Sequence, residues 1–152
     1  MAGGRLAQRV IGSVWRVPFS DSTLAHHSFG VEFDSTKCMD LTGPLTGIEW
    51  ENPHAWLRMT VTDASGKLVP WRLEMITPNA LRRNGTTRAD FENSIGKVMN
   101  ARGCAAREGA FQSDGTSRGA AEYIKLADGL IRIVGQVVER DLTPEKLSFW
   151  GK

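Results

Sequence analysis

Between Thr36 and Leu126 the apolar residues recur mostly at every second position, the period of a half-buried strand rather than of a helix. Met39, Leu41, Gly43 and Leu45 alternate, and the phase then slips to Ile48 and Trp50, which predicts a bulge near Thr46 and Gly47. Asn52-Pro53 turns the chain. The clearest alternation follows: Ala55, Leu57, Met59 and Val61 share one face, and His54, Trp56, Arg58, Thr60 and Thr62 share the other. The first face is core and the second meets water. Asp63-Ala64-Ser65-Gly66 has the composition of a hairpin turn, and Lys67 to Ile76 is the returning strand, with Val69, Trp71, Leu73 and Met75 set against Arg72 and Glu74. Pro70 lacks an amide donor, which places this strand at an edge or a bulge.

Thr77-Pro78 begins a short helix, with a hydroxyl at the cap and proline at the first helical position, and Arg82, Arg83 and Gly85 end it. Two more strands are predicted at Ile95 to Ala106 and Arg118 to Leu126, separated by the polar loop Arg107 to Ser117. The tail adds an apolar stretch, Leu130 to Val138, and a capped turn at Thr143-Pro144-Glu145. Three strands, a helix and two strands is the element order of a small OB-like barrel, mainly β and five-stranded, with one short helix between strands three and four. A β-sandwich is the competing architecture. The expected division is a leader at 1–25, an N-terminal segment at 26–35, the barrel at 36–127 and a C-terminal tail at 128–152.

Charge narrows the function classes. The 152 residues carry a formal net charge of +2, and Arg5, Arg9 and Arg16 against Asp21 supply all of it, leaving the chain neutral from His26 onward. A surface that tracks phosphates is normally basic, so single-stranded nucleic acid is the disfavoured partner for this barrel. No apolar run reaches the roughly 18 residues of a membrane-spanning helix. Arg5 and Arg9 followed by Val10 to Trp15 resemble the start of a secretion signal ending at Ser22-Thr23-Leu24-Ala25, but Arg16 and Pro18 interrupt its apolar stretch. A cleaved leader, a degenerate one and a plain cytosolic tail all stay open. The protein is periplasmic or secreted if the leader works, and cytoplasmic otherwise.

Several segments carry a resemblance: Ala25-His26-His27-Ser28-Phe29, Glu32-Phe33-Asp34, Leu41-Thr42-Gly43, Glu49-Trp50, Asn52-Pro53-His54-Ala55-Trp56, Trp71 with Leu73-Glu74, and Pro78-Asn79-Ala80-Leu81-Arg82-Arg83-Asn84-Gly85. Together, from about residue 25 to about residue 127, the chain resembles an uncharacterised family of small exported bacterial proteins, a domain of unknown function. The resemblance implies export and a mature chain beginning near His26.

Three constellations bear on chemistry. His26, His27 and His54 all fall in the resembling segments, and a terminal amine at a processed His26 together with imidazole nitrogens forms a donor set that suits copper or zinc. A solvated terminus and a hydrogen-bonded turn histidine explain the same residues. The outward face of His54, Trp56, Arg58, Arg72 and Glu74 sets an aromatic ring beside guanidinium groups, a pattern that binds small ligands or partners by stacking and anion contact. Alternatively, the N-terminal segment covers Trp56 through Phe29 and Phe33. Glu49, Glu51 and Glu74 hold no spacing that hydrolysis requires, and phosphate-loop, dinucleotide and Gly-x-Ser-x-Gly motifs are missing. Cys38 and Cys104 come together in the proposed barrel, either as a disulfide or as two buried thiols. The leading reading is an exported non-catalytic barrel that binds a small molecule, a metal ion or a protein partner through the His54 and Trp56 face. A copper-dependent enzyme or accessory subunit using His26 and His54 is the alternative.

Overall fold

The computed structural model describes residues 29–107, 113–147 and 150. His26, His27 and the leader region lie outside the described residues. The elements run α1 (Phe29–Glu32), β1 (Phe33–Glu49), β2 (Trp56–Thr62), β3 (Leu68–Glu74), α2 (Pro78–Arg83), α3 (Arg88–Glu92), β4 (Val98–Ala106), β5 (Ser117–Lys125) and β6 (Ile131–Ile133). A 3-10 turn follows at Pro144–Leu147.

The strands lie in the order β3-β2-β1-β4-β5-β6, and a further β3 to β5 pairing closes the first five into a barrel. That closing contact is parallel and short, from Trp71 opposite Ser117 to Glu74 opposite Ala120. Closure removes the exposed backbone groups that an open sheet of this size would leave at its edges. The architecture is therefore the mainly β, five-stranded barrel that the alternation predicts. Pro70 faces Thr60 on β2 and precedes the first residue that pairs with β5, so its missing amide costs no ladder bond on the β5 side.

β1 is 17 residues long and serves both β2 and β4. Its pairing with β2 slips between Leu45 and Gly47, the predicted bulge, and the extra residue bends the strand from one neighbour toward the other. At Gly43 a Cβ would stand 1.8 Å from the Thr60 carbonyl oxygen, so the chain can pass β2 this closely only without a side chain. At the β2 to β3 hairpin, Asp63 Oδ1 accepts from the Ser65 amide and hydroxyl and from the Lys67 amide, which sets the turn.

Two helices occupy the β3 to β4 connection where the sequence pattern shows one. In α2 the Thr77 hydroxyl accepts from the Ala80 amide, as its cap residues require. In α3 the Asp90 carboxylate accepts from the Thr87 amide and hydroxyl. The Thr-x-x-Asp spacing is a capping signal, legible in the sequence but overshadowed there by the short length of the element. Leu81 and Phe91, both fully buried, carry these helices into the core of Leu41, Leu45, Leu57, Met59, Leu73, Met75, Met99, Ile124 and Val134.

Val134 in this core shows that the tail is part of the fold. Its amide donates to the Glu122 carbonyl at 2.9 Å and its carbonyl accepts from the Ile76 amide at 2.8 Å. The segment after β6 thus bridges the ends of β5 and β3 where their direct pairing has stopped. Beyond it, Tyr123, Leu147 and Trp150 form a separate buried cluster with Ile131, Val137 and Leu142. Cys38 and Cys104 face each other across β1 and β4 and are joined by a disulfide.

Candidate functional site

Strand register assembles the outward face. Arg58 lies opposite Arg72 across β2 and β3, and Arg72 lies opposite Arg118 across β3 and β5, so three guanidinium groups form one row over three strands. Like charges side by side repel. Carboxylates interleave with them. Glu49 Oε1 accepts from Arg58 Nε at 2.9 Å and Nη2 at 2.5 Å, while its Oε2 accepts from Arg72 Nε at 3.2 Å and Nη2 at 2.6 Å. Burial pushes the Glu49 carboxyl up, but the hydrogen bonds from Arg72 and Arg58 outweigh it and hold its pKa below the usual 4.5. At the other end of the row Arg118 reaches Glu32 at 3.0 Å and Glu74 at 3.8 Å.

Trp56 occupies the next row. Arg72 Cζ stands 3.8 Å from the centroid of its ring, and Arg118 Cζ lies 5.3 Å from the same ring and 5.6 Å from that of Phe33. The indole is half-buried, and guanidinium groups of its own chain occupy its π-face. Phe33, buried with Ala106 and Ala120 and packed against a half-buried Phe29, approaches this assembly from the N-terminal side through Arg118. The indole is therefore braced by Arg72, with Phe33 one guanidinium away.

His54 precedes β2 at a point where the backbone is pinned: the Met75 amide donates to the Ala55 carbonyl at 2.8 Å, and the Ala55 amide donates to Ile76 at 3.3 Å. Its Nδ1 sits 3.0 Å from the Met75 carbonyl oxygen and 3.4 Å from Glu74 Oε1. Both are acceptors, so Nδ1 carries the proton, and in the neutral ring Nε2 keeps a lone pair. The side chain is 43% exposed. His54 and Glu74 line a cleft of about 240 Å³ together with Phe29, Glu32, Arg118 and Gln136.

All five face residues expected from the sequence, His54, Trp56, Arg58, Arg72 and Glu74, thus belong to one connected network. Among the described residues no group of three or more His, Cys, Asp and Glu side chains is arranged to hold a metal ion. The expected ligands His26 and His27 lie outside the described residues. Sequence reasoning missed Arg118, Glu32 and Gln136, which reach the site through the parallel β3 to β5 closure and through the tail. The sequence shows Glu49 as an acid without a hydrolytic spacing, and its clamp on two arginines has no local signature.

A family model described as a family of unknown function, DUF6152, matches residues 16–116. The chain belongs to this family. The match spans the predicted face from His54 to Glu74 and stops before β5, so Arg118 and the tail that completes the cleft lie beyond the matched stretch of the family. No curated protein matches the chain. Among the described residues no helix is long and apolar enough to cross a membrane.

Proposed function

We propose that this member of the family is an exported, non-catalytic binding module whose ligand seat is the cleft beside His54. The observation that carries the reading is the His54 ring itself. A backbone carbonyl fixes its orientation, which leaves Nε2 to accept from a ligand at the edge of a cleft that also offers a guanidinium and the Phe29 and Phe33 rings. Trp56, Arg58 and Arg72 then act as the wall that holds Arg118 and Glu74 in place. The Cys38–Cys104 disulfide supports an oxidising compartment, where such bonds persist. The cleft is sized for a small molecule. Two probes test it, benzoate for the guanidinium and phenethylamine for the carboxylates, followed by amide chemical shifts. Shifts at His54, Glu74 and Gln136 that vanish in His54→Ala are expected; no shift with either probe would remove the reading.

A copper site is the second reading, favoured by the same hydrogen bond. A ligating imidazole ordinarily donates its other N–H to a carbonyl or carboxylate, as His54 Nδ1 does. His26 stands three residues before Phe29, which lines the cleft, an extended reach of roughly 10 Å. After cleavage behind Ala25, the His26 amine and ring, with His27 nearby, would complete a nitrogen-rich set for Cu(II). Intact mass of the secreted protein and its Cu(II) electron paramagnetic resonance spectrum test this jointly. A terminus other than His26, or a spectrum unchanged by His54→Ala, would exclude it.

A further inference from the structure

Gly135 and Gln136 line the same cleft as His54, and the chain that follows them is tied down by a buried acid. The pairing of β4 with β5 skips Glu122, since Arg102 faces Tyr123 and Gly103 faces Ala121. A bulge redirects the side chain of its extra residue. Glu122 is fully buried, with 0% exposure, and its Oε1 accepts from the Val138 amide at 2.6 Å and the Glu139 amide at 3.3 Å. Its Oε2 is buried without a hydrogen-bond donor facing it among the described residues. The neighbouring charges do not balance an ionised Glu122. The Glu139 carboxylate already holds Arg102 through bonds of 2.8 and 2.7 Å, and Asp40 on β1 lies 3.5 Å from the same guanidinium. The charges of Glu139, Asp40 and an ionised Glu122 would thus all bear on the one Arg102 guanidinium, and the hydroxyl of Tyr123, next in sequence, donates to the Leu142 carbonyl.

We propose that residues 136–142 form a proton-held strap, closed over the side of the barrel while Glu122 is protonated and released when it ionises, so that the cleft wall at Gln136 depends on pH. In the protonated state the Glu122 hydroxyl at Oε2 donates toward the Glu139 carboxylate and Oε1 keeps both strap amides. Loss of the proton leaves Oε2 charged, buried and facing a second carboxylate. Burial, followed by the Glu139 carboxylate, raises the Glu122 pKa above 4.5, whereas the bonds from Arg102 lower that of Glu139. A raised carboxyl pKa means that the strap is most firmly closed below the ordinary value and loosens as pH rises through the raised one.

Hydrogen exchange of the Val138 and Glu139 amides in the full chain, without ligand, tests the strap. After correction for intrinsic exchange, protection falls by about tenfold per pH unit between 4.5 and the Glu122 pKa, then levels off. Core amides such as Leu57 stay protected throughout. Glu122→Gln keeps a neutral donor and acceptor in place and flattens the dependence, and Glu139→Gln frees Arg102 and moves the fall to lower pH. Protection that ignores pH in the wild type, or an unchanged midpoint in Glu139→Gln, overturns the strap. The effect on binding rests on the cleft being a ligand seat, and titration with benzoate and phenethylamine reports it separately: a strap that opens while neither probe binds refutes the seat and leaves the strap standing.

Discussion

Gly135 lies so close to Ala121 that a Cβ built on it would stand 1.8 Å from the Ala121 carbonyl oxygen. The contact sits where the tail seals the gap between β5 and the end of β3, so a side chain there would force the bridge at Val134 open. Gly135→Ala is expected to cost about 3 kcal/mol, at the upper end for overpacking. Gly30, with nothing within 4 Å of its would-be Cβ, is the control, and Gly30→Ala should stay within about 0.5 kcal/mol. Urea unfolding of the two variants checks both values; equal midpoints would mean that the tail is dispensable for the barrel.

The Cys38–Cys104 disulfide closes a loop with a sequence separation of 66. Removing it releases conformational freedom in the unfolded chain and is expected to cost about 4 kcal/mol. Denaturation of Cys38→Ala/Cys104→Ala beside the oxidised wild type measures this. A double variant as stable as the parent would show that strand pairing alone sets the β1 to β4 register.

Glu49 is the shared anion of Arg58 and Arg72, and its loss leaves two facing guanidinium groups without their carboxylate. Glu49→Gln should destabilise by about 1 kcal/mol, a charged hydrogen-bonding contribution discounted for partial exposure. Because the carboxyl pKa is lowered in the fold, its contribution is present above 4.5 and fades as pH falls through the lower folded value. The acid limb of the wild-type stability curve should therefore be steeper than that of Glu49→Gln, as thermal unfolding at stepped pH would reveal.

His54 separates binding from stability. Its ring is 43% exposed and makes one backbone hydrogen bond, so His54→Ala should cost no more than about 1 kcal/mol while abolishing the probe-induced shifts at Glu74 and Gln136. A much larger loss of stability would recast His54 as a structural pin of the β2 start.

Trp56→Ala removes the ring over which Arg72 lies and beside which Arg118 is placed. The expected cost is about 3 kcal/mol from lost burial and cation–π contact. Arg118 should then lose its position at the cleft, which weaker benzoate shifts in the variant would report.

Local pattern was sufficient for the strands of the barrel. Alternation at Ala55 to Val61, the phase slip at Thr46-Gly47, the Asp63 to Gly66 turn and the Thr77-Pro78 cap each depend on residues a few positions apart, and each is observed where the pattern puts it. The five polar residues of the face were legible for the same reason, since period two assigns His54, Trp56 and Arg58 to one side and Arg72 with Glu74 to one side.

Long-range register decided the rest. Arg118 joins the face only because β5 runs parallel beside β3, a pairing between residues more than 40 positions apart that carries no local signature. The burial of Glu122 follows from a bulge opposite β4 and from the tail, whose apolar stretch carries no local sign that Val134 closes the barrel. Sequence by itself determined which side of each strand meets water, because pleat geometry links neighbours; which charges meet one another was decided in three dimensions, where closure of the sheet brings distant strands to within hydrogen-bond distance.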